Sequence, residues 1–514
     1  MKVIIKEDKT TVTLYFQERI NEIILLKENS LRSDQILDEF KRYFSSKISE
    51  LAHSQKIIPF FIQERFYTQF FYTFFKYQNV FNEFENLKLK YSSGFEIDAS
   101  RMNDDFQNAI SILARYKYCK QNIKFISLLR IRFYELFLFL ISICALLRSI
   151  FKKRQAAVYT IDKNEISSSI RDNRAEKLYA DLENRAASYL EFVHTSSVSK
   201  SIKRFLVRPK SAIYFEILSK YLSFKKISNN QGGICDYIFD SMLTESNAQN
   251  DLLKKIFKLL NFKALYSIDD GRYLALFLSI ANRSAIKSKI YQHGLLYDRH
   301  HVGLAGYEIE NFPGLKSNFI VTEFNFYSDY FAERFKQLSK HISIKNYHII
   351  PFSNVLNSEN KIKDNSNNKK IVWIYEPDFS LDELQTYLEV LSKVYPNIYL
   401  KCKPQISISE INKIKKHTPD NVIIETEAIT ETYFNNVALF IGSYSSLLFE
   451  AIYYKVPVIE VKNTYGKYQA GLPQEAGFSL CQNSTEIISI IDNKLSETSN
   501  NLGMKRNFIW GKLN

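Results

Sequence analysis

Three short stretches carry the residues best suited to chemistry. In VALFIGSYSSLLFEAIYYKVPVIEV (437–461) an apolar run ends at Gly442, and Ser445 and Ser446 open a helical segment. The first turn of a helix leaves backbone N–H groups unpaired at the positive end of the macrodipole. Small hydroxyl residues there either cap the helix or bind a phosphate. Glu450, one turn on, is spaced to reach a ligand hydroxyl. In KIYQHGLLYDRHHVGLAGYE (289–308), Gln292-His293-Gly294 follows a strand-like run. Gly294 permits a turn that a Cβ would obstruct, leaving His293 at the edge of a sheet where α/β proteins bind ligands. An imidazole with a pKa of about 6.5 accepts a proton from a hydroxyl at neutral pH. Asp269-Asp270-Gly271 lies where the run ALYSI meets a helix. Adjacent carboxylates repel, so one is raised and suited to act as a base. The plainer alternative is an Asp-capped turn. His300 and His301 crowd the loop after Gly294. Beyond Asp298 no carboxylate or Cys gives a ligand spacing, so no metal is expected.

The elements that position these residues are read from periodicity. QAAVYTI (155–161), KALYSID (263–269), SKIYQHG (288–294) and SNFIVTE (317–323) are short strands. GRYLALFLSIANRSA (271–285) is helical, and RAEKLYADLENRAASYLEFV (174–193) reads as a helix leading into another apolar stretch. Such alternation is the signature of βαβ units and a parallel sheet. VLNSENKIKDNSNNKK (355–370) is polar and without an apolar period, hence a linker or surface loop. Beyond it KIVWIYE, NIYLKCKP, NVIIET, VALFIGS and VPVIEV are strands, separated by helices at 380–395, 408–417 and 445–454. The expected division is an N-terminal region 1–154, a Rossmann-like unit 155–354, the linker 355–370 and a second Rossmann-like unit 371–514.

The N-terminal region is rich in Phe and Tyr; FFIQERFYTQFFYTFFKYQNVF (60–81) is aromatic on nearly every helical face and reads as buried. In LLRIRFYELFLFLISICALLRSIFKKR (128–154) the uncharged stretch Leu136–Leu147 is too short for a span and is flanked by Arg and Lys. It reads as a helix in the interface of an anionic membrane, or as a core helix with basic ends. No uncharged apolar run reaches the ~20 residues of a span, which excludes a polytopic membrane protein. The composition is 46% apolar and 24% charged, which excludes wholesale disorder, collagen and coiled coil. The formal charge, 69 − 55 = +14, favours anionic partners. The basic residues are dispersed and no nucleic-acid-binding pattern is present, so nucleic acid is not the expected partner. Five scattered cysteines and no signal-peptide pattern point to a reducing cytoplasm.

Ser445-Ser446, Leu-Leu, Phe-Glu-Ala and Pro-Val-Ile (445–459) resemble the phosphate-binding signature of GT-B glycosyltransferases of bacterial surface polysaccharides, among them the capsule-synthesis, sialyl- or Kdo-transferase and CDP-glycerol-transferase branches. Gln292-His293-Gly294 and Asp269-Asp270-Gly271 resemble motifs of the same families. The resemblance implies an α/β fold of two Rossmann-like domains (GT-B architecture) with a largely helical N-terminal extension. It implies that Ser445 and Ser446, with Gly442, hold the donor phosphate and Glu450 the ribose. His293, Asp269 or Asp270 would be the base, with Gln292, Gly294 and His301 on the acceptor side. A family His before Pro is replaced here by Lys403, still a phosphate partner. The implied reaction is inverting, metal-independent sugar transfer in capsule, lipopolysaccharide or other surface-polysaccharide synthesis. It would run from a CMP-, CDP- or UDP-linked donor to a glycan or lipid-linked glycan, at the inner face of the cytoplasmic membrane and without a cofactor. A CDP-alcohol polyol-phosphate transferase and a non-catalytic scaffold are the alternatives.

Overall fold

The structure, a computed structural model, describes the chain except for residues 1, 9–10, 17–21, 28–31, 52–64, 91–94, 103, 122–124, 153–154, 163–175, 185–187, 196–211, 223–232, 270–272, 293–318, 339–341, 351–368, 405 and 512–514. Runs of Val, Ile, Leu and aromatic residues between amphipathic helices must be covered on both faces, and the chain covers them in two parallel sheets. The first has seven strands, in the spatial order Ile342–Ile349, Phe319–Phe326, Lys287–Tyr291, Ala264–Ile268, Ala156–Asp162, Tyr189–Thr195 and Ala212–Tyr214. The second has six, in the order Ile423–Glu425, Ile398–Lys401, Lys370–Ile374, Val437–Gly442, Val458–Val461 and Ser479–Cys481. Every neighbouring pair in both sheets is parallel. These are the two Rossmann-like α/β units expected from the sequence.

Each sheet grows outward from its first strand in one direction and then in the other. The reversal falls between Ala156–Asp162 and Ala264–Ile268 in the first sheet, and between Lys370–Ile374 and Val437–Gly442 in the second. At such a switch point the connections leave to opposite faces, and a crevice opens beyond the carboxyl ends of the two strands.

The N-terminal part is largely helical, as expected, with helices at Ser33–Leu51, Gln78–Lys90, Asp104–Arg115 and Phe125–Lys152. It also holds a mixed five-stranded sheet that the sequence reading did not anticipate, in the order Glu22–Lys27, Thr11–Phe16, Lys2–Asp8, Glu96–Arg101 and Lys120–Gln121. The aromatic run is buried as expected: Phe66, Tyr67, Phe70 and Phe71 are inaccessible to solvent. The 27-residue helix Ile234–Leu260 spans about 40 Å. Its first turns pack Ile234, Ile238, Phe239 and Met242 into this aromatic core, and its last pack Leu253, Ile256, Phe257 and Leu260 under the first parallel sheet.

Two expectations are corrected. The stretch 174–193 is not one helix: Glu176–Asn184 is helical and Tyr189–Thr195 is a strand beside Ala156–Asp162. The alternating Leu190, Phe192 and neighbouring Val193 pack well on a pleated surface, which overrides the helical period before them. Second, although no uncharged run is long enough, Phe133–Lys152 is the one helix among the described residues that is long and apolar enough to cross a membrane, and most of it is not buried. The few charges at its ends do not lower its mean hydropathy enough to matter. The linker expected at 355–370 lies almost wholly outside the described residues, and Lys370 already belongs to a strand.

Candidate functional site

At the switch point of the second sheet the strand Lys370–Ile374 runs into Tyr375-Glu376-Pro377-Asp378, facing the turn Gly442–Ser445. Glu376 lies wholly inside the protein. Its carboxylate accepts the backbone N–H of Ser443 at 2.7 Å, of Tyr444 at 2.7 Å, and of Ser445. The amide-rich approach to the helix Ser446–Tyr453 is therefore filled by a carboxylate of the protein itself. Burial pushes the Glu376 carboxyl up to about 7, outweighing the three amides that favour its charge, and Asp378 adds to the rise. Gly442 fits closely beneath it: a Cβ there would press on Ile374 Cδ1 at 3.3 Å and touch Glu376 Oε1 at 3.5 Å. Asp378 in turn accepts from Asn463 Nδ2 at 3.2 Å and Tyr468 N at 3.0 Å. The loop after the strand Val458–Val461 is thereby tied over the crevice.

That loop also carries the junction with the first sheet. Glu460 accepts the N–H groups of Gly471 and Leu472 at 2.6 Å each, as well as Gln469 Nε2. Ala470 N donates to Ser443 O at 2.8 Å. From the other lobe Arg334 donates to Gly471 O and Ala470 O at 2.6 Å each. Arg334 belongs to the helix Asp329–Leu338, which begins just past the carboxyl end of Phe319–Phe326. The last helix, Ser499–Trp510, crosses onto the same helix. Ser328 Oγ donates to Ile509 O at 2.5 Å, Trp510 packs on Phe331 at 5.3 Å between ring centroids, and Trp510 Nε1 donates to Phe449 O at 2.9 Å. The carboxyl edges of the two sheets thus meet.

The sequence-derived candidates divide as follows. Ser445 is the N-cap of its helix, its hydroxyl accepting from Leu447 N at 3.3 Å, as the capping alternative predicts. Ser446 Oγ donates to Glu450 Oε1 at 3.4 Å, so these two half-buried side chains share one face of the helix start. Lys403 is exposed just beyond the strand Ile398–Lys401, which pairs with the strand leading to Glu376. Lys401 is buried and donates to Glu427 O. Gln292 is buried and has a structural duty. Its N–H donates to Asn325 O at 2.9 Å and its Oε1 accepts Tyr327 N at 3.0 Å, pinning two strand ends together. Asp269 is buried beside the switch point of the first sheet, its N–H donating to Tyr291 O at 2.8 Å. Asp270, His293, Gly294 and His301 lie outside the described residues. No group of three or more His, Cys, Asp or Glu that could hold a metal occurs among the described residues.

The residue that sequence reading missed is Glu376. Its only local signal is a carboxylate at the end of an apolar strand, before Pro377-Asp378. Its partners are 67 to 69 positions away.

No family model matches the sequence, and no curated protein does. Solved structures with a similar coarse arrangement include the glycotransferase of kitacinnamycin, at 11% identity and a TM-score of 0.42, covering 69% of this chain and 95% of that one. The UDP-GlcNAc 2-epimerase from Neisseria meningitidis bound to UDP-GlcNAc is 10% identical at a TM-score of 0.41, covering 70% of this chain and 96% of that one. The calicheamicin glycosyltransferase is 9% identical at a TM-score of 0.41, with 69% and 94% covered.

Proposed function

We propose that this chain is a glycosyltransferase that moves a sugar from a CMP-, CDP- or UDP-linked donor to a glycan or lipid-linked glycan of a bacterial surface polysaccharide. The observation that carries the reading is the meeting of the two carboxyl edges through Arg334, Ala470, Ser443, Trp510 and Phe449. In this reading a donor held at the Ser446–Glu450 helix start faces an acceptor held at the Asp269–Gln292 edge across the crevice between the two sheets. The donor phosphate lies by the Ser446 hydroxyl and Lys403, with Glu450 on the ribose. The helix dipole and the Lys403 ammonium then offset charge on the departing nucleotide. His293, Asp269 or Asp270 takes the acceptor proton, and attack opposite the leaving group inverts the sugar.

Membrane contact at the cytoplasmic face belongs to the same proposal. The helix Phe125–Lys152 turns Leu138, Ser142, Ala145 and Ser149 inward, and Ser142 Oγ accepts Tyr214 N at 2.9 Å. Outward it shows Phe133 (67% exposed), Leu140 (53%) and Phe151 (83%), beside the exposed Arg148 and Lys152. Large apolar groups left outside depart from the usual order, and a basic-edged apolar face suits an anionic lipid surface that presents a lipid-linked acceptor.

The test is a thermal-shift series with CMP, CDP, UDP, GDP and TDP, followed by donor turnover. One nucleotide at about a hundred times its Kd should stabilise the protein by about 2.7 kcal/mol. His293→Ala and the pair Asp269→Asn/Asp270→Asn, with folding verified, should identify the base by loss of turnover. No stabilisation by any nucleotide would overturn the reading.

A further inference from the structure

Resting on that reading, we propose that Glu376 is a built-in anion at the donor phosphate site, whose negative charge must be neutralised by a proton from water before a phosphate can bind well at the 443–446 turn. Three successive amides converge on its carboxylate, so the groups through which a helix start would otherwise hold a phosphate are taken by the protein's own anion. A second feature of the same turn points to a polar ligand. The Ser443 hydroxyl is fully buried and has no hydrogen-bond partner among the described residues, a state that ordinarily costs free energy. A phosphate oxygen brought to this turn could satisfy it.

The consequence is electrostatic. A phosphate by Ser446 lies one residue from an amide bonded to Glu376, and two negative charges at such a separation in a poorly solvated place repel strongly. Protonation removes the repulsion and leaves the acid's oxygens still able to accept the amides, so the turn keeps its shape. The groups acting on Glu376 are Asp378 on its own turn, which opposes its charge, and the Tyr444 phenol, which accepts Asp378 N at 3.2 Å. The covering loop contributes Asn463 and Tyr468, both bonded to Asp378, and between them the buried Lys467. With the Glu376 carboxyl at about 7, the free protein loses the proton just above neutrality. Phosphate affinity should then fall as pH rises, because binding requires that the proton be regained.

The experiment is isothermal titration of the full chain with sulfate, which does not titrate between about pH 6 and about pH 9, and with CMP, CDP and UDP, whose second phosphate ionisation near pH 6 is complete above neutrality. Between about pH 7 and about pH 8.5 the wild-type Kd should rise about tenfold. Glu376→Gln removes the charge at the cost of at least one of the three amide contacts, so its folding is verified first, and its Kd should change less than about twofold between these pH values. Asp378→Asn, which needs no change at Glu376, should move the onset of weakening to lower pH. Equal pH responses of wild type and Glu376→Gln, or an unmoved onset in Asp378→Asn, would overturn the proposal while leaving nucleotide binding intact. No binding by any form at any pH would overturn both this proposal and the donor reading.

Discussion

At the scale of single residues, the decisive pair is Glu376 and Gly442. Gly442→Ala would set a methyl 3.3 Å from Ile374 Cδ1, which must shift by a few tenths of an ångström, and in ordinary contact with the Glu376 carboxylate at 3.5 Å. The expected cost is about 1–3 kcal/mol, read from chemical denaturation. Glu376 also leaves a mark on stability. Its folded carboxyl lies at about 7 against an ordinary 4.5, so the native state holds the proton longer than the unfolded chain. The stability this provides is complete below the ordinary value and is lost as pH rises through about 7. The melting temperature should therefore fall across that window in the wild type and fall less in Glu376→Gln. Glu383, which burial raises to about 7 as well, keeps part of the slope in the variant. An identical slope in both proteins would remove Glu376 from this role.

At the scale of elements, the helix Phe125–Lys152 is held by Leu138, Ser142, Ala145 and Ser149, with Phe139, Ile143 and Leu146 packed beside them, and shows other large apolar side chains to the surroundings. Full exposure of side chains such as Phe133 and Phe151 forgoes about 1.5–3 kcal/mol each that burial would supply. Phe133→Ser/Leu140→Ser/Phe151→Ser should leave the melting temperature nearly unchanged. Co-sedimentation with phosphatidylglycerol vesicles should drop at least about tenfold, and weakly bound wild type on these vesicles would sink the lipid assignment. The buried ion pairs behave oppositely. Arg65 bonds Glu245 at 3.0 Å, Arg115 bonds both Glu245 and Glu216, and Tyr116 donates to Glu245 at 2.5 Å. Burial tends to raise the Glu245 carboxyl, but the two guanidiniums prevail and hold it below its ordinary value. Glu245→Ala leaves Arg65 buried without its ion-pair partner and should destabilise the protein by about 3–5 kcal/mol in denaturant titration.

At the scale of the whole molecule, the crossing helix Ser499–Trp510 sets how the lobes sit, with Trp510 wedged among Tyr327, Phe331, Phe449 and Tyr453. Trp510→Ala should cost about 3–5 kcal/mol and separate one calorimetric transition into two. Much of this plan was readable in the sequence, because parallel strands covered on both faces appear as unbroken apolar runs such as IVWI and VALFIG, set off by helical periods. The strand Tyr189–Thr195 was not readable, since no Gly or Pro separates it from the preceding helix. Nor was the N-terminal sheet, whose charged, alternating KVIIKED and TVTLYF pair with distant or neighbouring partners that no local signal announces. The Ser446–Glu450 pairing followed from helical spacing alone, whereas Glu376 became visible only when strand pairing brought Gly442–Ser445 to it. The helix Ile234–Leu260 belongs to two cores at once. A chain trimmed of everything before residue 155 would be left with a greasy stump at Ile234, Ile238, Phe239 and Met242, prone to clump rather than stay in solution. The aromatic preface is thus no detachable ornament but the other half of a shared beam.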